Sequence, residues 1–71
     1  MAAKYWMSPA PTECDIDQTP ITNRFVDGVT IMGPWANMCP ACHAKLGRGL
    51  GLGKGQEYTK QEDGKWLKTN G

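Results

Sequence analysis

Cys39-Pro40-Ala41-Cys42-His43 is the stretch on which the reading of this chain turns. It places two thiols, a proline and an imidazole within five consecutive residues. A third thiol lies upstream in Cys14-Asp15-Ile16-Asp17. Two side chains separated by two residues in a tight turn can reach one ion. Neighbouring backbone N–H groups and a helix N-terminus stabilise thiolate charge there. Pro40 suits the first position of a helix, where its missing N–H costs nothing. The sequence therefore predicts a short helix over 41–46, ended by Gly47. The expectation is a domain folded on one structural zinc ion.

Structural zinc takes four protein donors, and Cys14, Cys39 and Cys42 supply three. Asp17 stands where the second donor of a Cys-x-x-Cys knuckle would stand. His43, the single histidine of the chain, is chemically the better zinc ligand. It is adjacent to Cys42, however, and neighbours on one helix diverge by about 100°. The two-plus-two geometry favours Asp17, with His43 as the alternative fourth ligand. The plainer roles are a backbone-bonding turn former for Asp17 and an exposed helix residue for His43. The stretch also has the Cys-x-x-Cys-His spacing of c-type haem attachment, but that use leaves Cys14 without a role. A thioredoxin-like redox pair would need a βαβ framework, which the sequence lacks.

At 71 residues the chain allows one domain. With 39% apolar residues it buries too little surface to offset chain entropy comfortably, so a metal is expected to help. No signal-peptide pattern and no membrane-spanning apolar run occurs, so a reducing cytoplasm is the expected setting. The net charge of +1 is unevenly spread. Residues 1–35 carry Lys4 and Arg24 against Glu13, Asp15, Asp17 and Asp27. Residues 36–71 carry Lys45, Arg48, Lys54, Lys60, Lys65 and Lys68 against Glu57, Glu62 and Asp63. The C-terminal half is the basic half.

Around the thiols the chain divides into an N-terminal arm, 1–13, and a zinc-binding domain, 14–71. Pro9 and Pro11 exclude a helix from the arm, and its first residues are expected to fray. Residues 24–32 read as a hairpin turning at Asp27-Gly28. Trp35 is the expected largest core residue. Alternate glycines exclude regular structure from the loop 47–55. Residues 56–69 read as a second hairpin around Glu62-Asp63-Gly64, with Tyr58 and Trp66 on one face. The fold class is thus a small α+β, zinc-dependent domain of two β-hairpins and one short helix.

The order of knuckle, hairpin and Cys-x-x-Cys opening a helix resembles a treble-clef finger or zinc ribbon. The chain also resembles a set of small phage-encoded zinc-ribbon-like proteins over roughly residues 14–60. The residues carrying this are Cys14-Asp15, Phe25-Val26-Asp27-Gly28, Gly33-Pro34-Trp35-Ala36-Asn37-Met38-Cys39-Pro40, Cys42-His43, and Gly49-Leu50-Gly51 through Gly53-Lys54-Gly55-Gln56 to Tyr58. That resemblance implies a phage or prophage source, a cytoplasmic location in the bacterial host and a binding role. It also implies a cysteine where this chain has Asp17.

No catalytic constellation is visible. Ser8 is the one serine, and the carboxylates Glu13, Asp15 and Asp17 crowd the knuckle. The glycine-rich loop departs from the Walker pattern, since Arg48 replaces its first glycine and Gly55 follows Lys54; a nucleotide cofactor is not expected. The expected function is non-enzymatic and accessory: weak nucleic-acid binding through Lys45, Arg48, Lys54, Lys60, Lys65 and Lys68. The alternative is a protein-binding module that modifies or inhibits a host factor through exposed aromatics such as Trp6, Tyr58 or Trp66.

Overall fold

The computed structural model describes residues 4–7 and 9–71. Its elements are β1 (Arg24–Val29), β2 (Trp35–Met38), α1 (Pro40–Leu46), β3 (Gly55–Lys60) and β4 (Trp66–Asn70). The strands form one antiparallel sheet in the order β2-β1-β3-β4. The domain is α+β, as expected, but its two hairpins are fused into a single sheet through the β1–β3 pairing.

The first hairpin exists, yet it does not turn at Asp27-Gly28. β1 runs straight through that pair, and the turn falls at 30–34. There the buried Thr30 donates its hydroxyl to Pro34 O at 2.8 Å, and Gly33 supplies a φ of +107°. Gly28 serves a different need: it sits opposite Gly55 in the β1–β3 register. A Cβ on Gly28 would stand 3.0 Å from Lys54 O, and one on Gly55 would stand 3.2 Å from the Gly28 Cα. The two glycines let these backbones approach closely, a use of glycine in strands that competes with turn formation.

Alternation along the strands gives the sheet two differently packed faces. On one, Phe25 is fully buried and meets Tyr58 and Trp66 at ring-centroid distances of 5.3 and 5.1 Å. The N-terminal arm closes this face. Lys4 O accepts from Lys68 N and Trp6 N donates to Trp66 O, so residues 4–6 run along the free edge of β4. The Trp6 indole then stands edge-on against both Phe25 and Tyr58. Fraying is expected of residues 1–4; residues 1–3 lie outside the described set, and Lys4 is instead tied to β4 through its carbonyl.

On the other face Val26 pairs with Met38. Met38 is fully buried against Cys14, Cys39 and Cys42, with Ile16 and Ala36 beside them. Trp35 is not the core residue its size suggests. It is 49% exposed, because β2 is an edge strand and the helix that follows covers the opposite face. Phe25, inward on the central β1, takes that role.

Two outcomes follow for stability. Phe25→Ala should cost about 3–5 kcal/mol of unfolding free energy, against about 1 kcal/mol or less for Trp35→Ala; urea midpoints measure both. Asp27, half-buried in β1, has its carboxyl pushed above the ordinary value by burial and then by the charge of Asp15. A raised folded-state pKa favours the fold at low pH, and that contribution is lost as pH rises through it. Asp27→Asn should therefore raise the thermal midpoint at pH 7, with a gain that shrinks as the pH is lowered into the acid range.

Candidate metal centre

Two turns build the centre. The first is closed by Cys14 N–H donating to Thr19 O at 2.8 Å and by Gln18 N–H donating to Cys14 O at 2.9 Å. Gln18 adopts φ +62° to complete it. The second is the start of α1, where Cys39 is the N-cap. Each turn supplies an N–H to sulfur. Ile16 N–H lies 3.4 Å from Cys14 Sγ, and Cys42 N–H lies 3.5 Å from Cys39 Sγ. Such donors favour the thiolate that a metal requires.

The turns are held against each other by a two-point clamp. Asp15 N–H donates to Asn37 O, and Asn37 N–H donates to Asp15 Oδ2, both at 2.9 Å. Asp15 thereby covers the outer edge of β2, which would otherwise present unpaired backbone groups. It also fixes the distance between the upstream knuckle and the Cys39-x-x-Cys42 turn.

With both turns in place, donor atoms of Cys14, Asp17, Cys39 and Cys42 all lie within 4.8 Å of one another. Around a tetrahedral ion with sulfur bonds of about 2.3 Å, neighbouring donors stand about 3.8 Å apart. The four donors thus need to close by about 1 Å at most. The cluster is able to hold a metal ion. The three thiols are buried and Asp17 is exposed, so the site lies just under the surface with its carboxylate outermost.

The electrostatics are uneven. The Asp17 carboxyl is held down to about 2, chiefly by the Thr19 backbone N–H at 3.0 Å, then by the Thr19 and Cys42 side chains. Burial pushes the Cys42 thiol well above its ordinary value, reinforced by Cys39 and Asp17. For Cys39, burial opposes ionisation, but hydrogen bonds from Cys42 and Cys14 prevail and bring it below the ordinary thiol value. Protons therefore compete with a metal at Cys42 long before they compete at the Asp17 carboxylate.

His43, the alternative fourth ligand, points elsewhere. Its Nε2 lies 3.0 Å from Gly49 O, which makes that nitrogen the protonated donor. The ring also packs on Gly47, where a Cβ would run into it. His43 ties the helix to the glycine-rich loop. The loop is further pinned by the Gly51–Gly55 pair of backbone bonds at 2.8 and 3.0 Å. A single histidine followed by a glycine four and six positions later was the available signal for this role, and spacing toward the cysteines obscured it.

The six basic residues do not form one surface. Lys45 and Arg48 lie at and beyond the end of α1, and Lys54 directly precedes β3. Lys60 and Lys65 flank the β3–β4 turn at the other end of the sheet, with Lys68 in mid-β4. The aromatics offered as exposed contacts are largely occupied: Trp66 is buried, and Trp6 and Tyr58 pack on Phe25. No helix among the described residues is long and apolar enough to cross a membrane. No protein-family model matches the chain, and no characterised protein or solved structure matches it either.

Ligand loss separates the two fourth-ligand candidates. Asp17→Ala should weaken metal affinity by at least about tenfold, the low end for losing even a partner outside the ligand set. Asp17→Cys should bind at least as tightly as the native chain, since thiolate is the better zinc ligand. His43→Ala should leave affinity within about twofold while speeding amide exchange at 47–51. Competition titration against a chromophoric chelator gives all three affinities.

Proposed function

We propose that this chain is a non-enzymatic accessory protein of treble-clef or zinc-ribbon character, folded on one structural zinc ion and binding nucleic acid weakly. The observation that carries the zinc assignment is the convergence of three buried thiols and one carboxylate from two turns. Three sulfurs and an oxygen in a four-donor set suit zinc, a borderline-soft ion without geometric preference of its own. Four protein donors leave no open position, which supports a structural rather than a catalytic metal.

The metal is thermodynamically tied to the fold. Cys14 and the Cys39-x-x-Cys42 turn join segments on either side of β1, and one ion bridging them converts binding energy into folding energy. The nucleic-acid part of the proposal is supported by the basic excess of residues 36–71 and by a loop whose glycines allow close backbone approach to phosphates. Binding to a host protein is the second possibility, favoured by the exposure of Ile31, Met32, Trp35 and Leu52.

Protein purified without added metal should contain about one zinc per chain by elemental analysis. Excess chelator should collapse its amide spectrum, and zinc should restore it. A metal-free protein that keeps a dispersed spectrum would refute the structural-zinc assignment. Binding to oligonucleotides should be micromolar or weaker and fall steeply with salt. Retention of a host protein from lysate by a chain that binds no oligonucleotide would favour the second possibility.

A further inference from the structure

Of the two basic regions, only one carries an uncompensated charge. The C-terminal hairpin sets Lys60, Lys65 and Lys68 against Glu57, Glu62 and Asp63 and is neutral. Lys65 is moreover placed over the Tyr5 ring, 5.8 Å from its centroid. Residues 28–56 contain no aspartate or glutamate at all, and they hold Lys45, Arg48 and Lys54. All three side chains are exposed, and the one ion pair among the described residues is Arg24–Glu57. The excess positive charge of the C-terminal half resides on this segment.

The fold gathers that segment at one end of the sheet. Ile31 N–H donates to Leu46 O at 2.7 Å, joining the β1–β2 turn to the end of α1. Thr30 bridges Gly47, and Val29 N–H donates to Lys54 O at 2.9 Å. Val29 is also the register partner of Trp35. The Ile31-Met32 turn, Leu52 at 96% exposure and the three cations therefore share one end of the sheet, and the half-exposed Trp35 indole lies at the same end on the face away from α1. In the loop between, the N–H groups of Gly49, Leu50, Leu52 and Gly53 have no acceptor among the described residues.

We infer that this end, centred on Trp35 with Lys45, Arg48 and Lys54, is a binding surface for single-stranded nucleic acid. The inference rests on the nucleic-acid proposal above and assigns its surface and its substrate form. An accessible indole stacks on an unpaired base, cations neutralise phosphates, and free backbone N–H groups bond phosphate oxygens. A lipid surface would meet the same cations and apolar side chains. Insertion into it, however, would bury the loop N–H groups without acceptors. The aromatic cluster of Trp6, Phe25, Tyr58 and Trp66 is already consumed by core packing, so Trp35 is the indole left to stack.

The test is a fluorescence-anisotropy titration of labelled oligothymidine, alone and as a duplex with oligoadenine, at low and physiological salt. Zinc-loaded native protein is compared with Trp35→Ala, with the triple Lys45→Glu/Arg48→Glu/Lys54→Glu, and with the triple Lys60→Glu/Lys65→Glu/Lys68→Glu. Zinc content and amide dispersion confirm that each variant is folded. Trp35→Ala should weaken single-strand binding by about tenfold, within the range of one stacked base, and the first triple should abolish it. The second triple should stay within about threefold of native, and the duplex should bind several-fold more weakly than the single strand. Loss of binding in the second triple alone overturns the assigned surface while leaving nucleic-acid binding intact. Equal duplex and single-strand affinity, or an unaffected Trp35→Ala, overturns the stacking role. If no oligonucleotide binds, both the surface and the nucleic-acid proposal fail. Association with phosphatidylserine vesicles in that case assigns the end to a membrane instead.

Discussion

Three thiols share one small volume beneath the sheet, and the rest of the structure is arranged to hold them there. Buried thiolates repel one another and are costly to desolvate, so the cluster is stable as an anion only around a cation. Protonated, it is a small apolar core of Cys14, Met38, Cys39 and Cys42 with Ile16 and Ala36. The Asp15–Asn37 clamp limits how far the two turns can separate in either condition. Its bonds use the outer edge of β2, so one contact positions the ligands and also protects an exposed strand edge.

The two faces of the sheet solve the size problem separately. One is stabilised by aromatic packing of Phe25, Tyr58 and Trp66 under Trp6, the other by the thiol cluster. Neither is large, and the four strands between them link the two so that loss of either weakens both. The N-terminal arm matters in this account. Its backbone bonds to β4 close the second sheet edge, and its indole covers the aromatic face.

Charge follows the same division of the chain. The acidic residues Glu13, Asp15, Asp17 and Asp27 belong to the upstream knuckle and β1, with Asp17 itself in the Cys/Asp cluster. The cations of α1 and the loop lie at the end where the glycines bring backbone to the surface. A dipolar arrangement of this kind leaves a near-neutral protein able to present one locally positive surface. His43 contributes by holding that loop to α1 through Gly49 O.

What the sequence by itself determined was local. Proline after the first cysteine of Cys39-x-x-Cys42 sets a helix start, Gly47 its end, and Glu62-Asp63-Gly64 a turn, because each rests on backbone preferences of a few residues. The spacing of the clustered donors was legible for the same reason: Asp17 lies three residues after Cys14 in one turn. Tertiary structure decided what depends on neighbours distant in sequence. Asp27-Gly28 has the local chemistry of a hairpin turn, but the close approach of Gly55 makes Gly28 a strand residue. Trp35 has the size of a core residue, but an edge strand and a helix on the far face leave it exposed, while Phe25 on a central strand is enclosed. His43 has the chemistry of a ligand, but the fold brings Gly49 O to its ring. In each case residue type states a capacity, and long-range pairing selects which capacity is used.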